Sequence, residues 1–435
     1  MCKPFLGIDM KIRTLYIILS LFIITNLTCC RVIKMGQLHL SKNHKKPRQE
    51  FVDILNDPNN TFAYTYADKK THEFISQIDY APYSRKKKKS YKLSEYLDTK
   101  TKTTAFLVIR NDSILFEEYY EGYDQNSLLP SWSIAKSFVG ALTGIAIQEG
   151  YLSQSDLVIK YFPELIKFDN NWSDLKVGHL LNMRSGISFD EEDYINPYSD
   201  IADLYMSKNV KKVLEKVRFK YKPGEVHYYS SLDTEILALV LEKAISRSLS
   251  NYLQEKLFIP LGMESKGTWA IDSKKSKNTK GFCCLNLTLR DYAKFASLYL
   301  KNGKWNNKQI IDSSWIKQST TPNFENNCYQ NQMYSHKSYK LKRDSLNNYN
   351  SYQDSLSAQN DITDINYQRV IKHWYRNDEW VIQNCGDAFF ALGIFGQEIL
   401  IEPNEQMIFI RLGKKWDTSS SNIFNLIKRE LRNYE

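Results

Sequence analysis

Apolar positions first gather into a strand-like pair. Thr104–Arg110 is an apolar run centred on Phe106, Val108 and Ile109, Asn111-Asp112 is a turn signal, and Ser113–Tyr119 reads as the returning strand of a hairpin. Pro130-Ser131-Trp132-Ser133 then opens a long helix through Ile134, Phe138, Val139, Leu142, Ile145 and Ala146, with Gly150 as its stop. Apolar residues fall on most faces of that helix, which predicts a central, buried element. Asp174–Met183, Thr234–Ser246 and Thr288–Lys301 give three further helical patterns. Strands return at Gln368–Tyr375, Gln397–Glu402 and Gln406–Leu412, the last two joined by Pro403-Asn404, and Ser421–Asn433 closes as a helix. Strands at both ends of a helical middle predict an α+β fold. One antiparallel sheet is built from both termini and flanked by helices, with a mainly helical region inserted.

Two stretches carry little such pattern. Residues 31–100 read as a polar tether and lead-in, and residues 322–366, rich in Asn, Gln, Ser and Tyr, as a polar insertion. The main folded unit then runs over 101–415, with 416–435 as its closing helix. Residues 1–30 have the layout of an export signal. Lys11 and Arg13 precede the apolar run Leu15–Ile24, which is too short to span a membrane. Leu27-Thr28-Cys29-Cys30 resembles a bacterial lipoprotein processing site, with Cys30 lipidated and Cys29 the fallback. The expectation is an exported cell-envelope lipoprotein whose membrane partner is reached through that anchor.

The chain has 435 residues, 42% hydrophobic content and a net charge of +10. Part of that charge sits in Lys42–Lys46 and Arg85–Lys89. No nucleic-acid module accompanies these lysines, so they read as solvated segments. The seven cysteines show no zinc spacing with histidines, and neither metal nor cofactor is expected. Adjacent Cys283 and Cys284 are expected not to bond each other, because disulfide geometry strains a vicinal pair. A Cys328–Cys385 bridge is left open.

The chemistry concentrates at Ser133-Ile134-Ala135-Lys136. On a helix, residues three apart share a face, so hydroxyl and ammonium can touch. A free hydroxyl is a weak nucleophile, and a desolvated lysine can accept its proton. The same spacing recurs at Ser84/Lys87, Ser173/Lys176 and Ser314/Lys317, but only Ser133 heads an apolar helix.

Over roughly residues 100–415 the chain resembles the class C beta-lactamase-related serine hydrolases, which include DD-peptidases, esterases and 6-aminohexanoate-dimer hydrolases. The resemblance is carried by Ser133–Lys136, His179–Gly186, Pro223–Ser231, Gly281–Phe295 and Ala391–Gln397, in that order. It implies that Ser133 is acylated, that Lys136 assists its deprotonation, and that Tyr229 shuttles a proton beside the lysine. A phenol serves that role only if nearby positive charge lowers its pKa from about 10. The backbone N–H groups of Ser133 and Ile394 would form the oxyanion hole. Two departures stand out. Ser231 replaces the usual Asn of the second motif, offering a hydroxyl to the substrate pocket. Ala391-Leu392-Gly393 replaces the usual Lys-Thr-Gly or His-x-Gly, so Ala391 and Gly393 are assigned to the substrate pocket and a substrate carboxylate loses its partner. The expected activity is cleavage of a small ester, amide or peptide-like substrate through an acyl-serine. The alternatives are an exported binding protein using the same pocket, or a DD-peptidase-like enzyme acting on peptidoglycan. His227 is read as a structural histidine.

Overall fold

The computed structural model describes residues 52–55, 61–82, 89–194, 196–323, 326–341, 370–373, 380–415 and 420–434. The signal segment, Cys29, Cys30, the run 42–46 and most of the run 85–89 lie outside them. Asn111 and Asp112 both take positive φ, 49° and 60°. Two such residues in succession match the twist of the flanking strands, which closes Thr103–Arg110 onto Ser113–Tyr119 with Arg110 opposite Ser113. Met407–Gly413 pairs antiparallel with the other side of Thr103–Arg110, and Gln397–Glu402 and Trp380–Gly393 follow outward. The predicted sheet built from both ends of the chain is therefore present. It has nine strands among the described residues, all antiparallel except the short Thr65–Tyr66 beside Ser113–Tyr119.

Both faces of the sheet are covered, and strand alternation sorts the residues. Ala105, Leu107 and Ile109, with Ile399, Ile401, Ile408 and Ile410, enter the main core with the helical region. Phe106, Val108, Phe116, Met407 and Phe409 face a second core formed with Lys69–Gln77, Leu93–Thr99 and the closing helix Ser420–Tyr434. The lead-in is thus structured: its two helices supply Ile75, Leu93 and Leu97 to that second layer. Its polar residues misled because such a short amphipathic helix carries few apolar positions.

The central helix Ala135–Gln148 is buried from Ala135 to Ala146. A Cβ on Gly140 would sit 2.4 Å from the Asn331 carbonyl oxygen, so the 326–341 segment presses directly on it. That segment is the second correction. Tyr329–Gln330 and Met333–Leu341 are sheet strands, and the described part of the supposed polar insertion is structural. Its polar side chains are satisfied inside: Gln332 donates to the carbonyls of Leu180 and Leu181 and accepts from Thr234 and Tyr329. Among the described residues, no helix is long and apolar enough to cross a membrane.

Candidate active site

Ser133 lies in a tight 3-10 turn, Trp132–Ile134, that leads into the central helix. Lys136 is one turn on, and its Nζ is 2.8 Å from Ser133 Oγ and 3.0 Å from the Phe282 carbonyl oxygen. The lysine is 2% exposed. Burial pushes it down to about 8, against the opposing pull of Glu191 and Glu235. A cation this poorly solvated yields its proton near neutral pH, which is what a general base requires.

Tyr229 comes from the loop before the helix Ser231–Ile245. Its ring lies 5.1 Å from Lys136 Nζ, and its phenol is close enough to Ser133 to feel that hydroxyl. The three residues named from sequence therefore converge. The expected acid strength of the phenol does not: burial, then Tyr334, Tyr329 and Glu191, push Tyr229 well above its ordinary value. The ammonium beside it is outweighed, because desolvation penalises a phenolate as strongly as it penalises a lysine cation. Between the two, Lys136 is the group ready to take the first proton.

The oxyanion region is built by the end of the strand Trp380–Gly393. A Cβ on Gly393 would lie 2.7 Å from the Ser131 carbonyl oxygen and 3.1 Å from the Ser133 nitrogen. Only glycine permits that approach, and it brings the next residue, Ile394, beside the nucleophile's turn. Gln397 holds this bend by donating to the Ile394 and Gly413 carbonyls, and buried Arg411 donates to the Gly396 carbonyl. Ala391 belongs elsewhere. It is buried in the main core opposite Ile399, so its assignment to the substrate pocket is corrected.

A cavity of about 520 Å³ opens at Ser133, lined by Trp132, Tyr194, Ile201, Ala202, Tyr205, Ser231, Phe282, Cys283, Ile394 and Phe395. Among the described residues, no lysine or arginine lines it. Trp132, held at φ 45°, packs edge-on to Phe395 at 5.4 Å and stacks on Tyr205 at 6.2 Å. Ser231 reaches the cavity, but its hydroxyl donates to Glu191 at 2.7 Å, so it is not the free donor expected from the sequence. Glu191, Tyr194 and Phe395, in loops, and Tyr205, in the short helix Asp200–Met206, escaped the sequence reading, since such segments carry too little periodic signal.

Cys283 and Cys284 are bonded to each other, which overturns the expectation that this vicinal pair stays unbridged. The chain accommodates the bond at a left-handed Cys284, φ 72°. Cys328 is also disulfide-bonded, and the side chain of Cys385 lies outside the described set. His227 is held neutral, down to about 4, by burial and by Arg184, and its Nε2 has no hydrogen-bond partner among the described residues. It plays no part in the Ser133 cluster.

A helix-backed antiparallel sheet with Ser-x-x-Lys at the head of a buried helix defines a class of acyl-transfer fold. The chain belongs to the Beta-lactamase family, whose model matches residues 92–427. It is 25% identical over 234 residues to the 6-aminohexanoate-dimer hydrolase of Paenarthrobacter ureafaciens, covering 50% of this chain and 57% of that protein. It is 23% identical over 194 residues to a candidate D-alanyl-D-alanine carboxypeptidase of Escherichia coli K12, covering 39% and 44%. The matches thus span about half the length of these relatives. A candidate 6-aminohexanoate-dimer hydrolase of Bacillus anthracis shares the fold, with TM-score 0.66, 19% identity and coverage of 92% and 94% of the two chains.

Proposed function

We propose that this protein is an exported serine hydrolase that cleaves a small ester or amide through an acyl-serine intermediate. The observation that carries the reading is the 2.8 Å contact between Ser133 Oγ and Lys136 Nζ, made by a lysine that burial pushes down to about 8. In the neutral form Lys136 takes the hydroxyl proton as Ser133 Oγ attacks the carbonyl carbon. The N–H groups of Ser133 and Ile394 receive the developing oxyanion. Tyr229, protonated and beside Ser133, relays a proton to the leaving group and is itself reprotonated from Lys136. Water then reverses these steps to release the acid.

The cavity supports a neutral, apolar acyl or leaving group. Aromatic and aliphatic side chains line it, and among the described residues no cation lines it to pair with a carboxylate. That favours an ester or amide over a peptidoglycan terminus. The apolar run before Cys30 supports export and lipid anchoring at the cell envelope. A fluorophosphonate probe tests the chemistry. Wild type should be labelled at one site, and Ser133→Ala should not. Labelling absent from both would favour a binding protein that uses the same cavity.

A further inference from the structure

Glu191 is 5% exposed and stands on an irregular loop outside the five motif blocks that carry the resemblance. Its Oε1 accepts from the Ser231 hydroxyl at 2.7 Å and from the Tyr194 hydroxyl at 2.9 Å. Its Oε2 accepts from the Ser231 backbone N–H at 2.7 Å. No lysine or arginine within 4 Å pairs with it among the described residues. A buried carboxylate without an ion pair is costly, and neutral side chains could fill the same space more cheaply. Two of its partners, Tyr194 and Ser231, line the cavity, and its charge bears on Lys136, Tyr229 and Tyr334.

We propose that Glu191 is a positioning residue: one carboxylate that fixes the Tyr194–Ser231 wall of the cavity and sets the electrostatic field at Lys136. The inference rests on the hydrolase reading above. Three bonds from two separate chain segments converge on one group, so the wall is a single rigid unit. Ser231 is the first residue of the helix Ser231–Ile245, whose amide would otherwise face the cavity unsatisfied. This also accounts for a serine where an asparagine is usual, because the shorter side chain reaches the carboxylate.

The field at Lys136 has several sources. Glu191 and Glu235 are the carboxylates that favour its charged form; Glu235 accepts from the Gly281 N–H on the strand side. Around Glu191 itself stand Tyr194, Tyr228, Tyr229, Tyr329, Tyr334 and buried Asp233. Removing the charge at 191 leaves Glu235 as the remaining carboxylate influence, so Lys136 should deprotonate more readily.

The test is hydrolysis of p-nitrophenyl acetate from pH 5 to 10 by wild type, Glu191→Gln and Glu191→Asp. Glu191→Gln removes charge and one acceptor. It should move the rising limb of kcat/KM about 0.5–1 pH unit toward acid and raise KM about three- to tenfold. Glu191→Asp keeps the charge but cannot span both partners, so KM should rise while the limb stays in place. It serves alone if the glutamine variant does not fold. A glutamine variant with the wild-type limb and KM, or an aspartate variant with unchanged KM, overturns the proposal and leaves the hydrolase reading intact. A wild type that neither turns over ester nor takes the fluorophosphonate overturns both.

Discussion

Lys136→Met should make a dead protein that is more stable than wild type at neutral pH. Methionine matches the length of the lysine stem and carries no charge. The fall from the ordinary lysine value of 10.5 to about 8 corresponds to about 3 kcal/mol of destabilisation from burying the ammonium, at ~1.36 kcal/mol for each factor of ten. The substitution removes that penalty. It also strips the Phe282 carbonyl of its donor, which costs about 1–3 kcal/mol. The net expectation is a gain of about 1–2 kcal/mol at pH 7.

The sign of the pH dependence follows. Between pH 8 and 10.5 the unfolded chain holds the lysine proton and the folded chain does not, so wild-type stability rises relative to the variant across that window. Paired urea unfolding at pH 7, 8, 9 and 10 should show the advantage of the methionine variant shrinking and then reversing. A difference between the two proteins that stays constant from pH 7 to 10 would refute the view that Lys136 is held as a poorly solvated cation. Fluorophosphonate labelling of the same samples should be lost in the variant at every pH.

Two further outcomes bear on the same site. The kcat/KM of wild type should rise with pH to a half-maximum near 8, gaining about tenfold between pH 6.5 and 7.5, because only neutral Lys136 can accept the proton; a flat profile removes it as the base. Gly393→Ala should lower kcat about 10²–10³-fold with an unchanged circular dichroism spectrum, since the new methyl meets the Ser133 nitrogen at 3.1 Å and the Ser131 carbonyl oxygen at 2.7 Å and pushes the Ile394 N–H away. A rate within tenfold of wild type would mean that the bend is not part of the oxyanion hole.

Local chemistry was legible where it acts within a few residues. The Asn111-Asp112 turn announces a hairpin because two positive-φ residues are tolerable there. Ser133 and Lys136 announce a shared face because the helical repeat is fixed. The unread parts depended on distant partners. Leu93 and Leu97 look unremarkable in a polar stretch until the sheet's outer face needs covering. Gln332 and Tyr329 look like loop residues until the Leu180 carbonyl accepts from Gln332 and Gln332 in turn accepts from Tyr329.

The sequence by itself determined the nucleophile pair, the order of motifs and the two-ended sheet, since these follow from backbone geometry over short spans. Only the tertiary structure decided how acidic each group is. Lys136, which is buried, is down and Tyr229, which is half-buried, is up because each has lost solvation of its charged form, and the degree of solvation is a property of everything packed around a side chain. Glu191 could enter the site only once the fold had carried its loop against the first turn of the helix at Ser231.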